Sequence, residues 1–141
     1  MEWFILATLS ALFAALVSIF AKIGLQGVDS TVATAVRAIV MMLFIVIFLI
    51  SIGKGPQLTQ FTSKDMGFIV LSGIAGALSW LFYFAALKLA DASKVAPVDR
   101  ASVLIVMVVA ALFLGEKITL KTATAGILIF IGLLLFAVKL D

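Results

Sequence analysis

The sequence predicts an all-α membrane protein with five transmembrane helices. Hydrophobic residues make up 65% of its 141 residues and charged residues only 12%, whereas soluble globular chains hold roughly 45–50% and about 25%. A chain this short cannot enclose so much apolar surface in one core, because small folds keep a large fraction of their surface exposed. The apolar residues also fall into five stretches of roughly 20 residues, the length that crosses a bilayer. Water is therefore excluded as the main solvent.

The five predicted helices follow one another along the chain, and we expect a single domain over residues 1–141. Their boundaries lie at about 3–22, 31–52, 66–88, 95–114 and 119–138. Strands of a membrane barrel would instead alternate in polarity over about 10 residues, and no such alternation is present. The first stretch has no positive charge before it and is longer than a signal-peptide core, so we expect a retained helix.

The connections between helices carry glycine, proline and polar residues, which favour turns. Only the loop at about 53–65 is long, so nearly the whole chain is expected within the membrane. We expect Ser63 to cap the third helix and Thr119 the fifth, since hydroxyl side chains accept hydrogen bonds from the first free N–H groups. Pro97 is expected in the first turn of the fourth helix, where its missing N–H costs little.

Several function classes are excluded by what the sequence lacks. It contains no Cys and no His, which removes disulfide scaffolds, thiolate and imidazole metal sites, and Ser–His or Cys–His nucleophiles. No phosphate loop or nucleophile–base set is present either. We therefore expect no enzyme activity, no cofactor and no metal site. The net charge is only +3 and no basic run occurs, so nucleic acid is not an expected partner.

The distribution of cationic residues indicates no preferred orientation in the membrane. With five crossings, the lysines divide equally between the two faces: Lys54, Lys64, Lys117 and Lys121 on one, and Lys22, Lys88, Lys94 and Lys139 on the other. The positive-inside rule therefore predicts neither orientation of the chain. Counting Arg37 and Arg100, which lie inside helices near the second face, weakly favours an outside N-terminus. An even balance is also expected of a chain that inserts in both orientations.

Four ionisable residues are predicted in the same third of the membrane: Lys22, Arg37, Asp99 and Arg100. A charge at the bilayer centre costs from about 2.5 kcal/mol upward, so such residues are candidate functional groups. We expect Asp99 to pair with Arg37 or to take up a proton during coupling. The alternatives are that Lys22 snorkels to the interface, that Arg100 does so or binds a lipid phosphate, and that the Arg37–Asp99 pair is purely structural.

Small and polar residues form stripes on two helices, which indicates an inward-facing solute cavity. Residues three or four apart share a helix face, and two such sets occur: Thr8, Ala11, Ala15, Ser18 and Lys22, and Ser72, Gly76, Ser79 and Tyr83. Trp80 lies near the middle of the third helix, away from the interfacial belt. We expect solute contacts from Ser18, Arg37, Ser79, Trp80, Tyr83 and Asp99. Close helix packing is the alternative explanation of such stripes, and it is the role expected of Gly76, Gly126 and Gly132.

The order of several short motifs resembles a known family. These motifs are Phe20–Leu25, Thr34–Arg37, Ser79–Leu87, Asp91–Asp99 and Leu112–Leu120, followed by Gly126. Together they resemble a single EamA-type repeat of the drug/metabolite transporter superfamily, most of all its small five-helix bacterial and archaeal group. The similarity covers essentially the whole chain. Its more specific part is the combination of Pro97 with the Gly115–Glu116–Lys117 turn.

The resemblance implies a multi-pass protein of the prokaryotic inner membrane that transports a small solute among membrane lipids. Larger relatives contain two such repeats in inverted orientation, with a substrate cavity between them. A lone repeat holds half of that cavity, which implies a homodimer, most simply antiparallel, working by alternating access around a midplane site. The first helix lacks the embedded Glu of small multidrug resistance relatives, which argues against their proton-coupled export of cationic drugs. A cavity lined by Arg37, Arg100 and Lys22 instead favours neutral or anionic solutes. A non-transporting scaffold, or half of a heteromeric transporter, is the alternative.

Overall fold

The computed structural model describes residues 1–137, and this part of the chain is all-α with no strand. Its elements, in order, are α1 (Glu2–Gly24), α2 (Ser30–Ser51), a 3₁₀ helix (Gly55–Thr59), α3 (Ser63–Leu89), α4 (Ala92–Asp99), α5 (Ser102–Phe113) and α6 (Leu120–Ala137). The predicted fold class is confirmed. Residue 138, where the predicted fifth helix ends, and Lys139 lie outside the described residues.

Four segments are long and apolar enough to cross a membrane: Glu2–Gly24, Ser30–Ser51, Ser63–Leu89 and Ala92–Phe113, the last of which contains both α4 and α5. The apolar segment Leu120–Phe136 is shorter. The 18 residues of α6 span about 27 Å at 1.5 Å per residue, close to the roughly 30 Å of hydrocarbon. The chain is therefore a polytopic membrane protein.

The surface of the described residues is overwhelmingly apolar, as a lipid-facing protein requires. Among the described hydrophobic residues, five are buried: Leu25, Tyr83, Phe84, Leu87 and Ala110. Large side chains elsewhere are open, for example Phe44 at 71% and Phe13 at 62% exposure. Soluble monomers rarely expose contiguous apolar patches of such extent, so hydrocarbon is the medium that covers these side chains.

The helices group into two compact units. The α2–α3 unit comprises residues 20–89, and the α4–α6 unit comprises residues 1–19 and the chain from residue 90 onward. In the α2–α3 unit, α2 packs along α3. In the α4–α6 unit, α6 packs against α4 and α5. Gly126 of α6 is buried there, and a Cβ built on it would lie 2.9 Å from Met107 Cε. Gly132 has open space around it.

The N-terminal ends of three helices are capped by side chains. Asp29 caps α2, and its Oδ1 accepts hydrogen bonds from two backbone N–H groups. Thr62 caps α3, because its Oγ1 accepts from the N–H of Asp65 at 3.2 Å and donates to the Asp65 carboxylate at 2.6 Å. The prediction for Ser63 is therefore wrong by one residue, since Ser63 is already the first helical residue. The Thr119 cap is confirmed by the N–H of Thr122, which donates to Thr119 Oγ1 at 3.2 Å.

The C-terminal end of α3 is capped by lysine. Lys22 Nζ, at the end of α1, donates a hydrogen bond of 2.6 Å to the backbone oxygen of Leu87. This carbonyl belongs to the last turn of α3, where carbonyls have no partner within the helix. A cation at this end also interacts favourably with the helix dipole. Close by in sequence, Lys88 Nζ donates to the carbonyl of Val28 at 2.8 Å. The two lysines thus join the α1–α2 connection to the end of α3.

The predicted fourth helix starts earlier than expected. The structure begins α4 at Ala92 rather than near residue 95, so Pro97 is inside the helix and not in its first turn. The expectation for Pro97 is therefore wrong. Inside a helix, proline removes one hydrogen bond and its ring crowds the preceding turn.

The same helix is also interrupted, which the sequence analysis did not predict. Beyond Pro97 the hydrogen bonds tighten from four residues to three: the N–H of Arg100 donates to Pro97 and that of Ala101 to Val98, both at 3.0 Å. Such short-range bonds are typical of 3₁₀ geometry. The helix resumes at Ser102 as α5, so Asp99 and Arg100 lie at a break and not on a continuous helix.

The first prediction concerns the hydrogen bond from Lys22 to the carbonyl of Leu87. Lys22→Met removes the charged group that donates to the Leu87 carbonyl, so this carbonyl loses that hydrogen bond. We expect the free energy of unfolding in detergent micelles to fall by about 1.5–3 kcal/mol. Lys94→Met is the matched control, since Lys94 pairs with Asp91 through side chains that are 68% and 70% exposed, and such pairs contribute about 0–1 kcal/mol. Equal losses in the two variants would contradict the proposed cap.

The second prediction concerns how the stabilisation by the Asp29 cap of α2 depends on pH. Backbone donation from Val32 and Thr31 holds the pKa of the Asp29 carboxyl below its usual value of 3.8. The stabilisation is therefore fully present above pH 3.8 and is lost as the pH falls through the lowered value. We expect the thermal midpoint of the wild type to fall more steeply on acidification than that of Asp29→Asn, which keeps an acceptor but does not titrate. Parallel curves for the two proteins would refute this role.

Candidate functional site

A groove of about 710 Å³ runs between α2 and α3. Its wall on α2 consists of Thr31, Thr34, Ala35, Arg37, Ala38, Met41, Met42 and Ile45, and its wall on α3 consists of Gly73, Gly76, Ala77, Trp80 and Leu81. On each helix these positions recur every three or four residues, which places them on one face. We call this feature the α2–α3 groove.

Small residues on α3 keep the groove open. Gly73, Gly76 and Ala77 line it opposite the longer side chains of α2. A Cβ built on Gly76 would meet no atom within 4 Å, whereas the same test on Gly126 gives a contact of 2.9 Å with Met107. Gly76 therefore lies beside free space, while Gly126 lies against a neighbouring helix.

The polar centre of the groove is a cation–aromatic contact between its two walls. The guanidinium carbon of Arg37 lies 3.5 Å from the centroid of the Trp80 ring and 5.8 Å from that of Phe84. Trp80 in turn packs edge-to-face against Tyr83 at 5.5 Å and Phe84 at 5.9 Å. A cation over an aromatic face gains about 0.5–2 kcal/mol, more where water is excluded. The aromatic cluster thus holds the charge of Arg37 in place.

Arg37 also determines the charge of the α2–α3 groove. It is the one ionisable side chain among the residues that line the groove, and it is half-buried. The hydroxyl of Thr34 is engaged within α2, where it donates to the carbonyl of Ser30 at 2.8 Å. A guanidinium that stacks through its face keeps its N–H donors in the ring plane, where they can bind an anion. The arrangement can therefore attract and orient a negatively charged group.

The other predicted site residues are distributed over both units. In the α2–α3 unit, Tyr83 is buried beside Trp80, Ser79 is exposed and does not line the groove, and Lys22 contacts the end of α3. In the α4–α6 unit, the buried Ser18 donates to the carbonyl of Ala14 at 3.0 Å.

Asp99 and Arg100 are exposed at the break between α4 and α5, also in the α4–α6 unit. Because Arg37 belongs to the other unit, the ion pair between Asp99 and Arg37 stays a prediction. The participation of Ser18 and Arg100 in a shared solute site likewise stays a prediction.

Sequence reasoning missed Met41 and Met42, which line the α2–α3 groove, and Phe84, which packs against Trp80 beside Arg37. Phe84 was not singled out, although it follows Trp80 by four positions and must therefore share its helix face. Met41 and Met42 were not singled out either. The signal was their spacing, since Met41 follows Arg37 by four residues and Met42 follows Ala38 by four, so both continue the same wall.

The strength of the contact between Arg37 and Trp80 can be measured with a double-mutant cycle. We expect Arg37→Met and Trp80→Leu to show a coupling of about 0.5–2 kcal/mol in unfolding free energy. Phe68→Leu replaces Trp80→Leu in the control cycle, because Phe68 lies three turns earlier on α3, about 18 Å away along the helix, and we expect no coupling there. Additive effects of the Arg37 and Trp80 substitutions would show that the contact contributes nothing.

Comparison with known proteins agrees with this arrangement of membrane-spanning helices. Residues 1–138 match the EamA-like transporter family. A Sinorhizobium protein named "Uncharacterized transporter in cobO 3'region" is 40% identical over 137 residues, which cover 97% of each chain. No solved structure matches the chain. The chain belongs to the EamA-like transporter family, a family of membrane transporters.

Proposed function

We propose that the chain is one protomer of a secondary transporter for a small solute in a prokaryotic inner membrane. The observation that carries the proposal is the α2–α3 groove with Arg37 stacked on Trp80 at 3.5 Å. Ionisable residues within membrane spans are rare and mark substrate or ion pathways. A volume of about 710 Å³ also falls in the range of roughly 300–1,000 Å³ that is usual for small-molecule sites.

We further propose an antiparallel homodimer. One five-helix repeat presents Arg37 only half-buried, and a guanidinium facing hydrocarbon is costly. A second copy laid against the groove would cover this charge and close the solute path. The equal division of lysines between the two faces supports insertion in both orientations. The same copy related by a two-fold axis in the membrane plane would supply the inverted repeat that alternating access uses.

In this mechanism, the two copies rock against each other around the solute. Arg37 orients the solute, while Trp80 holds the guanidinium in position. The hydrogen bond from Lys22 to the end of α3 holds the end of α1 to the α2–α3 unit during this motion. Asp99 pairs with a cation or takes up a proton from one side of the membrane.

Transport by purified protein tests the proposal. We expect liposomes containing the protein to accumulate at least one labelled solute from a panel of carboxylates, amino acids, sugars and amines. Arg37→Gln should lower the initial rate about tenfold or more, as expected for one lost charge-assisted hydrogen bond. Lys121→Gln, which removes a charge from the first turns of α6, is the matched control and should transport normally. Uptake no greater than in empty liposomes would contradict the function.

The orientation of the chain separates the homodimer from the alternatives. The chain has no Cys, so Gln57→Cys introduces a single reactive thiol in the 3₁₀ helix. We expect a membrane-impermeant maleimide to label comparable fractions of the molecules from either side. Labelling from one side alone would exclude the antiparallel homodimer. A tight purified complex with a different protein would then favour half of a heteromeric transporter.

A further inference from the structure

The α2–α3 groove has a polar end and an apolar end. From Thr31 to Ile45 it extends about 21 Å along α2. Its polar end holds the threonines and Arg37, whereas the residues beyond Arg37 are methionine, isoleucine, glycine and alanine. The distance from Arg37 to Ile45 corresponds to about 12 Å of helix. One charged point is thus followed by an apolar channel about two helical turns long.

The charge of this groove has no counter-ion in its own walls. Arg37 is the one ionisable residue lining it, and none of the lining residues is acidic. Asp29, the nearest carboxylate in sequence, is engaged at the α2 N-terminus by the N–H groups of Thr31 and Val32. Since Trp80 covers the face of the guanidinium, the in-plane N–H donors are what remains for a ligand.

We propose that the α2–α3 groove binds a small organic anion with a single negative charge and an apolar body, and this inference rests on the proposed transport function. The anionic group accepts hydrogen bonds from the Arg37 guanidinium. The apolar body lies along Met41, Met42 and the open space beside Gly76. A dianion would leave one charge uncompensated in an apolar channel, and a cation would meet the like charge of Arg37, so both are disfavoured.

An anionic lipid has the same two chemical parts, a charged group and an apolar body. Arg37 lies about 10 Å along α2 from Ser30, however, which is below the level of lipid phosphates when α2 starts at the interface. The groove is also as small as a single-ligand site, whereas a phospholipid carries two long chains. The described contacts therefore favour a soluble anion, and the experiment below separates the two sources.

Binding can be measured without transport, because the chain contains two tryptophans. In a Trp3→Phe background Trp80 is the sole reporter, and it lies against Arg37. We expect benzoate to change its fluorescence saturably. Benzamide lacks the charge, acetate lacks the apolar body, and benzylammonium reverses the charge, so each should bind at least about tenfold more weakly. Equal binding of benzoate and benzamide would overturn the proposal.

Two substitutions locate the benzoate within the α2–α3 groove. Arg37→Gln should weaken benzoate about 10- to 100-fold. Gly76→Leu should fill the channel and weaken it as well, and the free space around Gly76 allows this variant to fold even if Arg37→Gln does not. Gly67→Leu, on α3 outside the groove, is the matched control and should leave benzoate affinity unchanged. Unchanged affinity in both groove variants would overturn the assignment.

A change of lipid composition distinguishes a soluble anion from an anionic lipid as the ligand of the groove. In nanodiscs of phosphatidylcholine alone, benzoate should bind as in detergent, and added phosphatidylglycerol should not change the Trp80 signal. An Arg37-dependent signal from phosphatidylglycerol that benzoate does not displace would identify a lipid site and overturn the proposal. Failure of benzoate to bind, with Arg37-dependent transport of a neutral or cationic solute intact, would overturn this inference alone. Benzoate binding without any transport would instead refute only the proposed function.

Discussion

The hydrocarbon of the membrane offers no hydrogen bonds, and every backbone N–H and C=O within it must find a partner in the protein. The α-helices satisfy most of these groups internally, but the N–H groups of the first turn and the carbonyls of the last turn have no partner within the helix. This constraint explains the side chains that bond to the backbone at helix ends, where Asp29, Thr62 and Thr119 accept from free N–H groups and Lys22 donates to a free carbonyl. The polar residue that departs most clearly from this pattern is Arg37.

Arg37 shows how a membrane-spanning helix pair can hold a positive charge. Burial against an opposite charge would neutralise it, whereas stacking on Trp80 stabilises it and leaves its hydrogen-bonding edge available. The contact also links the two helices across the groove, because α2 supplies the cation and α3 the ring. Gly76, one turn before Trp80, leaves the space that makes this charge accessible. Position and accessibility of the charge therefore depend on one pair of helix faces.

The five apolar helical stretches and the fold class could be predicted from the sequence because both depend on the length and apolar content of each stretch. The Thr119 cap could be predicted because it depends on neighbouring residues alone. The interruption after Asp99 could not, because the effect of Pro97 depends on where the helix begins, and α4 begins one turn earlier than its apolar pattern suggests.

The partner of Arg37 was harder still to predict. Arg37 and Trp80 were both identified as site residues, but their contact depends on how α2 and α3 are rotated about their axes. That rotation follows from packing between helices and is not encoded in the periodicity of either one. A carboxylate is the obvious partner when only residue types are known, which is why Asp99 was expected. Within the α2–α3 unit the contact of Arg37 is with the Trp80 ring, and the pair with Asp99 stays a prediction.

The contact between Lys22 and the carbonyl of Leu87 has a consequence for biogenesis. Its two residues are 65 positions apart, which a ribosome needs about 3 to 13 seconds to synthesise at about 5–20 residues per second. Throughout that interval the Leu87 carbonyl has not been synthesised, so the bond between Lys22 and α3 forms only after the third span is complete. The ends of α1 and α3 are therefore joined late, after the first helical hairpin has already been synthesised.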